Sequence, residues 1–525
     1  GLYNTIIGGG AGAALANVQR NTVVGTFALD NCSHGSRSTA IGYAALSAQD
    51  YGTTATDSHN TAVGNEAGLA VTTGVNNTLI GSLAGDTLTD ADNNVALGHL
   101  ALSAETNNNG NTAIGAAALK VQNAGGGGDA RNTAVGFLAG ALVTTGVQNT
   151  LIGSLAGDAL TDADYNTAVG VGSLGSDTLG SRSTALGYAA LFAQNFTTAT
   201  NSFNTAVGYN TGGSVTTGQS NTLMGDSAGD AITTGGLNTI IGTFAGSAAT
   251  TVSNNTFIGA FCGDAATSGD NTAVGSGALG GSLTGEQNTA VGHDAGNALT
   301  SGTDNVFIGH LAGVSATTAG DCTLIGEQAG GGATMTGDGN TLIGRTAGYQ
   351  ISSGSNNICL GEDAGRGSSP SGNITTGSNT ICLGDNNISD LFCADTSISS
   401  SDSRDKTDVT NFTGGLDWIK EFRPVTYKWD KRTWYGDEDN PMGTPDGSKK
   451  IDRLHLGFLA QEVLAIEQDK GFADTNDTSL VVRNNVDGNS YGIKYERLVP
   501  VLVNAIKELS AKNDALEARI ATLEG

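Results

Sequence analysis

Basic residues are scarce in this chain. Only 24 Lys and Arg stand against 50 Asp and Glu in 525 residues, a formal net charge of −26. Such a surface repels phosphate backbones, which argues against nucleic acid as a partner. Long apolar runs are missing too. No stretch of 18 apolar residues occurs, so no membrane insertion is expected. The six cysteines (Cys32, Cys262, Cys322, Cys359, Cys382 and Cys393) are scattered. That sparseness fits buried free thiols better than a disulfide framework. No secretory leader is visible, and Gly1 falls inside a copy of the phrase described next, which points to a fragment or a processed chain.

The scarcity is uneven. Residues 1–400 hold 70 of the 80 glycines, one proline, no tryptophan and seven Lys or Arg. Residues 401–525 hold the other 17 basic residues and all three tryptophans (Trp418, Trp429 and Trp434). What fills the first part is one phrase. Asn-Thr-Ala-Val-Gly, followed after two residues by Ala-Gly or Ala-Leu, recurs in 22 copies, from Asn4 to a last copy placed at Asn379. Of the 21 intervals, 15 are 17 residues long. A fixed period this short predicts stacked coils of one solenoid rather than a globular core.

Each copy carries its own physical logic. In Asn60-Thr61-Ala62-Val63-Gly64, strand side chains alternate between faces. The third and fourth residues are both apolar in nearly every copy, as in Leu79-Ile80 and Phe257-Ile258. They point to opposite sides, so the strand is expected to be buried on both. One side is the coil interior, and the simplest cover for the other is a second copy of the chain. The glycine eases the turn, and the Asn side chains are placed to stack as an amide ladder along the axis. A 17-residue coil has room for two short strands and two turns. Val71–Gly98 returns almost unchanged at Val143–Gly170, the mark of duplicated four-coil blocks.

The phrase resembles the head repeats of trimeric autotransporter adhesins and similar repeats in phage tail fibres. That resemblance covers residues 4–384. It implies a left-handed parallel β-roll with three chains around one axis.

From Ser401 the texture changes to mixed charge and aromatics. Ser401-Asp402-Ser403-Arg404-Asp405-Lys406 is followed by Leu416-Asp417-Trp418-Ile419, then Arg423-Pro424-Val425-Thr426-Tyr427-Lys428-Trp429. Next come Gly457-Phe458-Leu459-Ala460-Gln461-Glu462-Val463, Tyr495-Glu496-Arg497-Leu498-Val499-Pro500-Val501-Leu502 and Ala505-Ile506-Lys507-Glu508-Leu509. This ordered series resembles the endosialidase-type intramolecular chaperone domain at the C-termini of phage tail fibres and tailspikes. The resemblance implies a domain that trimerises, aligns the fibre chains and then cuts itself off between Ser400 and Ser401. It implies Ser401 as nucleophile and Lys406 as its base, with Asp402 and Arg404 as motif partners. A hydroxyl does need a base, and a desolvated Lys can serve.

The last helix reads as coiled coil without any family. Ile506, Asn513 and Ile520 fall at a, with Leu509, Leu516 and Leu523 at d. Lys512 at g can face Glu517 at e of a neighbour. Ile at a, Leu at d and one Asn at a favour a parallel dimer in isolated peptides, whereas both resemblances imply a trimer.

Other candidate sites are weaker. His293 and His310 follow the glycine of adjacent copies, an arrangement that reads as stacked surface histidines rather than a metal site. The Asp-rich links (Asp86, Asp90, Asp92 and Asp158, Asp162, Asp164) lack the Gly-Gly-x-Gly-x-Asp nonapeptide of calcium-binding β-rolls, which favours solvated loops. The Thr column has one Thr per coil and no Thr-x-Thr, a poor match to ice-binding solenoids. No nucleophile–base arrangement stands out in residues 1–400. No cofactor and no metal is expected.

The expected architecture is mainly β, a parallel β-roll or β-solenoid of about 22 short coils, trimeric, then a small α+β chaperone domain ending in a coiled-coil helix. Residues 1–390 form the shaft, 391–400 a linker, 401–505 the chaperone and autoprotease domain, and 506–525 the coiled coil. The expected role is a virion tail fibre for host attachment. Its partners are two further copies of itself, a host cell-surface receptor or glycan, and other tail proteins bound through whatever precedes Gly1. The alternatives are a bacterial or secreted trimeric adhesin at the cell surface, and a tailspike with glycan-depolymerase activity.

Overall fold

The computed structural model describes residues 2–388, 403–436, 442–473, 478–484 and 491–525. The chain forms two compact units, Gly1–Thr318 and Ala319–Gly525. The architecture is mainly β, a parallel β-solenoid of about 21 turns followed by a small C-terminal domain with paired strands and a terminal helix.

In the first unit, strands of three residues run from Thr5–Ile7 to Val306–Ile308, one per coil. Each pairs in parallel with the strand one coil away, residue on equivalent residue, as Thr61 on Thr78, Ala62 on Leu79 and Val63 on Ile80. The register follows from the alternation of faces, since a one-residue slip would turn the interior column outward. The middle residue of the strand is fully buried, as Ala62, Leu79, Phe257 and Phe307 show. The residues on either side of it face out of the coil.

Interior volume is balanced between neighbouring coils. A side chain at Gly68 would lie 2.6 Å from Leu79 Cδ1 and 3.0 Å from Leu46 Cδ2. Gly140 stands in the same relation to Leu151 and Leu119, and Gly212 to Leu223 and Leu191. A glycine here lets leucines from adjacent coils fill one space, in keeping with the close packing of protein interiors.

The glycine that ends each strand has a stricter duty. Gly153 has φ +138°, and a Cβ on it would lie 2.4 Å from the carbonyl oxygen of Gly170 in the next coil. Only glycine fits both the conformation and the close backbone approach. Each coil also holds non-glycine residues in left-handed conformation, such as Asn76 (φ 60°) and Leu83 (φ 58°). These corners bend the chain between strands.

Three details differ from the sequence reading. A second strand forms in only two places among the described residues, where Gly35–Ser36 pairs with Thr56–Asp57 and Gly180–Ser181 with Thr200–Asn201. Elsewhere a side chain supplies the link, as when Val75 N donates to Asp92 Oδ1 at 2.7 Å. The Asn ladder is chiefly side chain to backbone, described below. The last copy begins at Thr380 and not at Asn379. Ile381–Leu383 pairs with Ile358–Leu360, and Thr380 N donates to Asn357 Oδ1 at 3.1 Å, which puts Thr380 in the Asn position. Asn379, with φ 60°, occupies the left-handed corner just before it.

The second unit begins with the strands Thr323–Ile325, Thr341–Ile343, Ile358–Leu360 and Ile381–Leu383. Its C-terminal domain contains helix α1 (Leu416–Glu421), helix α2 (Ala460–Asp469) and helix α3 (Leu498–Glu524). Val425–Tyr427 pairs antiparallel with His455–Gly457, and Val482–Asn484 with Tyr491–Ile493. Trp418, Phe422, Val463, Val481, Val482, Leu498 and Val501 form the core. The start of α3 is held there by Leu498, Val501 and Ala505, whereas Ile506, Leu509, Leu516, Ile520 and Leu523 are exposed.

Candidate functional site

Two features carry functional meaning, the outward strand face of the coils and the C-terminal domain. The coil is organised by its Asn. Asn149 is fully buried. Its Oδ1 accepts the backbone N–H of Asn166 at 2.9 Å, and its Nδ2 donates to the carbonyl of Ala163 at 2.7 Å. One amide thus ties the next coil's strand to its preceding loop, and the pattern repeats at Asn60, Asn77, Asn132 and Asn221. Direct amide–amide bonds are added in places, as from Asn305 Nδ2 to Asn288 Oδ1 at 2.9 Å.

Where Ser replaces Asn, a glutamine takes over. Gln194 Nε2 donates to Ser183 Oγ at 2.8 Å, and Gln194 Oε1 accepts Asn204 Nδ2 at 2.8 Å. Gln49 does the same between Ser38 and Asn60. Buried polar groups cost free energy unless paired, so each Ser coil keeps its ladder closed.

This interior leaves the outer strand face unspent. It carries a Thr in most coils (Val95 and Val306, for example, replace it) and an aliphatic residue or Met per coil, on either side of the buried middle residue. Leu97 is 43 % exposed, Met224 44 % and Ile308 38 %, although the middle residues beside them are dry. The fourth-position column is therefore only partly covered within one chain, most of its residues being half-buried.

In the C-terminal domain the quoted motifs from Leu416 onward each do a definable job. Trp418 fills the core, edge-on to Phe412 and Phe472. Arg423 Nε donates to Glu462 Oε2 at 3.1 Å, a second guanidinium nitrogen pairs with Oε1, and that bond holds the Glu462 carboxyl below its usual range. The Gly457-Phe458 step closes on Tyr495. Phe458 N donates to Tyr495 Oη at 3.1 Å, and a Cβ on Gly457 would lie 2.5 Å from that oxygen. On α3, Glu508 Oε2 accepts Leu416 N at 3.1 Å, and Asn504 Nδ2 donates to the carbonyls of Phe412 at 2.8 Å and Gly414 at 3.2 Å. The motifs scattered from 412 to 508 thus meet around one core.

Ser401, Asp402, the Ser400–Ser401 bond and the linker 391–400 lie outside the described residues, as does Cys393. Arg404 lies in the 3-10 turn Ser403–Asp405, and Lys406 follows it with its backbone N–H directed to the Ser403 carbonyl at 3.4 Å. Both side chains are exposed in the single chain.

Sequence reasoning missed two residues here. Glu467 is fully buried on α2. Its carboxylate accepts the backbone N–H groups of Leu480 at 3.0 Å, Val481 at 2.6 Å and Val482 at 3.1 Å, fastening that segment to the helix. Lys431 lies over the rings of Trp429 and Trp434, and its Nζ donates to the Asn386 carbonyl at 3.2 Å. Burial lowers its pKa, with Asp385 opposing. The sequence signal for Lys431 was the Trp-rich stretch itself. Glu467 gave none, because a helical Glu reads as surface.

The weaker candidates resolve into structural roles. His293 and His310 stand with ring centroids 5.5 Å apart, and His293 faces Asp294 at 3.3 Å. Asp92 and Asp164 accept backbone N–H groups from Val75 and Val147. Burial raises the carboxyl pKa of Asp86 and Asp158. Cys359 and Cys382 are in-register neighbours, and the five described cysteines are free and buried. Burial pushes the Cys262 and Cys359 thiols up to about 12. Among the described residues no group of three His, Cys, Asp or Glu is placed to hold a metal ion, and no helix is long and apolar enough to cross a membrane.

Residues 401–472 match the family model described as chaperone of endosialidase. The match covers the segment from the Ser401 motif through α2, and the chain is similar to that family over this segment. No curated protein matches the chain.

Proposed function

We propose that this chain is the subunit of a homotrimeric virion fibre, a tail fibre or tailspike shaft for host attachment. In this reading residues 1–390 are the shaft and 391–400 the linker. Residues 401–505 are an intramolecular chaperone that aligns three chains and then releases itself, and 506–525 are its coiled coil. The partners are two identical chains, a host surface receptor or glycan, and other tail proteins.

The observation that carries the reading is the partly covered aliphatic column of the coils, half-buried in most coils and roughly 40 % exposed at Leu97, Met224 and Ile308, upstream of a segment that matches the chaperone model. At about 25 cal/mol per Å² of apolar surface, a column repeated in some 21 turns is a strong drive to associate. The exposed a and d positions of α3 supply a second, aligned contact.

Release is written with this chain's own groups. Lys406, as the free amine, takes the proton of Ser401 Oγ, which attacks the Ser400 carbonyl carbon. The C–O bond forms, the C–N bond breaks, and the proton passes to the Ser401 nitrogen. Water then hydrolyses the ester, leaving a carboxylate on Ser400 and restoring the Ser401 hydroxyl. A neutral lysine base is favoured by removal from water. Lys406 is exposed in the single chain, so the step belongs to the assembled trimer, where a neighbour covers it.

Expression of the wild-type chain beside Ser401→Ala tests this on denaturing gels. Fragments of about 400 and 125 residues are expected from wild type only. An intact, folded wild-type chain contradicts the release step.

A further inference from the structure

The outward strand face has two edges. The leading edge is the residue just before the buried Asn of each coil, or before the Ser that replaces it, and the trailing edge is the residue just after the strand's glycine. Each edge makes contacts along its own row. Arg182 on the leading edge lies over the rings of Tyr165 and Phe203, one coil to either side. Tyr188 on the trailing edge stacks on Tyr209, with centroids 5.2 Å apart and planes 9° off parallel.

In four coils of the first unit the two edges are matched in composition. Arg37 and Tyr43 belong to one coil, Arg182 and Tyr188 to another, and all four are exposed. These two coils lie in duplicated stretches, Gly35–Gln49 and Gly180–Gln194, so the pair was copied together. Two further matches lie outside those stretches, Arg131 with Phe137 and Phe203 with Tyr209. Every trailing-edge Tyr or Phe of the first unit thus has an Arg or Phe on the leading edge of its own coil, whereas the trailing-edge His99, His293 and His310 do not.

Contact within the chain does not account for the match. The two edges are six residues apart along extended backbone, roughly 15–20 Å, and the strand face lies between them. Among the described residues Arg37 pairs with Asp57 at 3.0 Å and Arg131 with Asp129 at 2.6 Å, both on the leading side.

We infer that the trailing edge of one copy seats against the leading edge of the next at the same height, so that Arg182 meets Tyr188, and Arg131 meets Phe137, across the seam between chains. This rests on the proposed self-association and adds its register and its contact residues. Rotation about an axis along the coil stack keeps each coil level and brings unlike edges together. Arg over an aromatic ring is an attractive pair, and the Thr and aliphatic columns between the edges are covered in the same step. Association in this geometry is parallel and unstaggered.

Cysteine cross-linking in the uncleaved Ser401→Ala chain tests it. Gln148→Cys and Ser154→Cys place thiols on the two edges of one coil. Gln148→Cys with Ser82→Cys places them four coils apart, about 19 Å at strand spacing. Mild oxidation is expected to link the first variant into a covalent trimer on non-reducing gels and to leave the second unlinked. A trimer by light scattering in which the same-coil pair does not link, or links no better than the offset pair, overturns the seam and leaves the trimer standing. A folded monomer overturns both.

Discussion

At the residue scale the shaft depends on a buried amide that closes hydrogen bonds between coils. Asn149→Ala leaves the Asn166 N–H and the Ala163 carbonyl unpaired in a dry interior. Each such group costs about 1–3 kcal/mol, so a loss of about 2–6 kcal/mol is expected in urea unfolding followed by far-UV circular dichroism. The Ser coils supply the control. Asn149→Ser with Leu160→Gln rebuilds the Ser183–Gln194 arrangement, since Leu160 holds the position of Gln194 in its coil. The double variant is expected to recover part of the stability that Asn149→Ser loses. The Asn column itself was legible in the sequence, because a polar residue at fixed period within an apolar phrase must be satisfied along the stack. The mode was not. An amide ladder and a side-chain-to-backbone ladder demand the same residue, and only the left-handed corner before Asn decides between them. That corner also hid the shift at Thr380, where an Asn one residue early mimics the repeat. The roles given to Ser401 and Lys406 rest on resemblance alone, since a Ser/Asp/Arg/Lys turn has no period and no apolar pattern. Glu467 was illegible because its partners are backbone groups more than ten residues away.

At the element scale, coils and C-terminal domain differ in the balance of their carboxyls, since in the coils Asp50 and Asp363 are lowered but a larger number are raised. Burial raises the carboxyl pKa of Asp86, Glu105, Asp158, Asp230 and Asp264 in the shaft. Such groups oppose folding when ionised, so that cost is relieved as pH falls through their raised values toward the ordinary carboxylate range. In the C-terminal domain, hydrogen bonds lower the pKa of Asp446 (from Ser448), Asp452 (from Lys428) and Glu462 (from Arg423). Their stabilisation is present above the ordinary range and fades as pH falls through the lowered values. All three tryptophans lie in that domain, so tryptophan fluorescence reports it alone. Between pH 6 and 3 the fluorescence melting temperature is expected to fall, and the circular dichroism transition of the shaft to hold or rise. Parallel decline of both contradicts the assignment.

Helix α3 belongs to the same scale. Its first turns are fixed by Leu498, Val501 and Ala505, so substitutions beyond them spare the domain core. Leu516 and Leu523 are exposed at d positions. Leu516→Asp with Leu523→Asp is expected to abolish trimer formation and, with it, self-cleavage on denaturing gels. Full cleavage in a monomeric variant would separate release from assembly. The heptads could be read directly, whereas their oligomeric state could not, because three heptads with one Asn at a sit between dimer and trimer preferences.

At the scale of the whole molecule the coils pose one problem. The interior is nearly complete in a single chain, with its Ala and Leu columns dry and its Asn column paired except at Asn111 Nδ2, yet the outer Thr and aliphatic face is only half-buried. Two-sided burial was readable from adjacent apolar residues in each phrase, and the structure supplies one side of it. In the proposed reading the other side is covered by identical chains, aligned by the C-terminal domain and level coil by coil. The direct test is the mass of purified, uncleaved Ser401→Ala protein by size-exclusion chromatography with multi-angle light scattering. Three times the 52.5 kDa chain mass is expected. A folded species of 52.5 kDa, with its solenoid circular dichroism intact, contradicts the account.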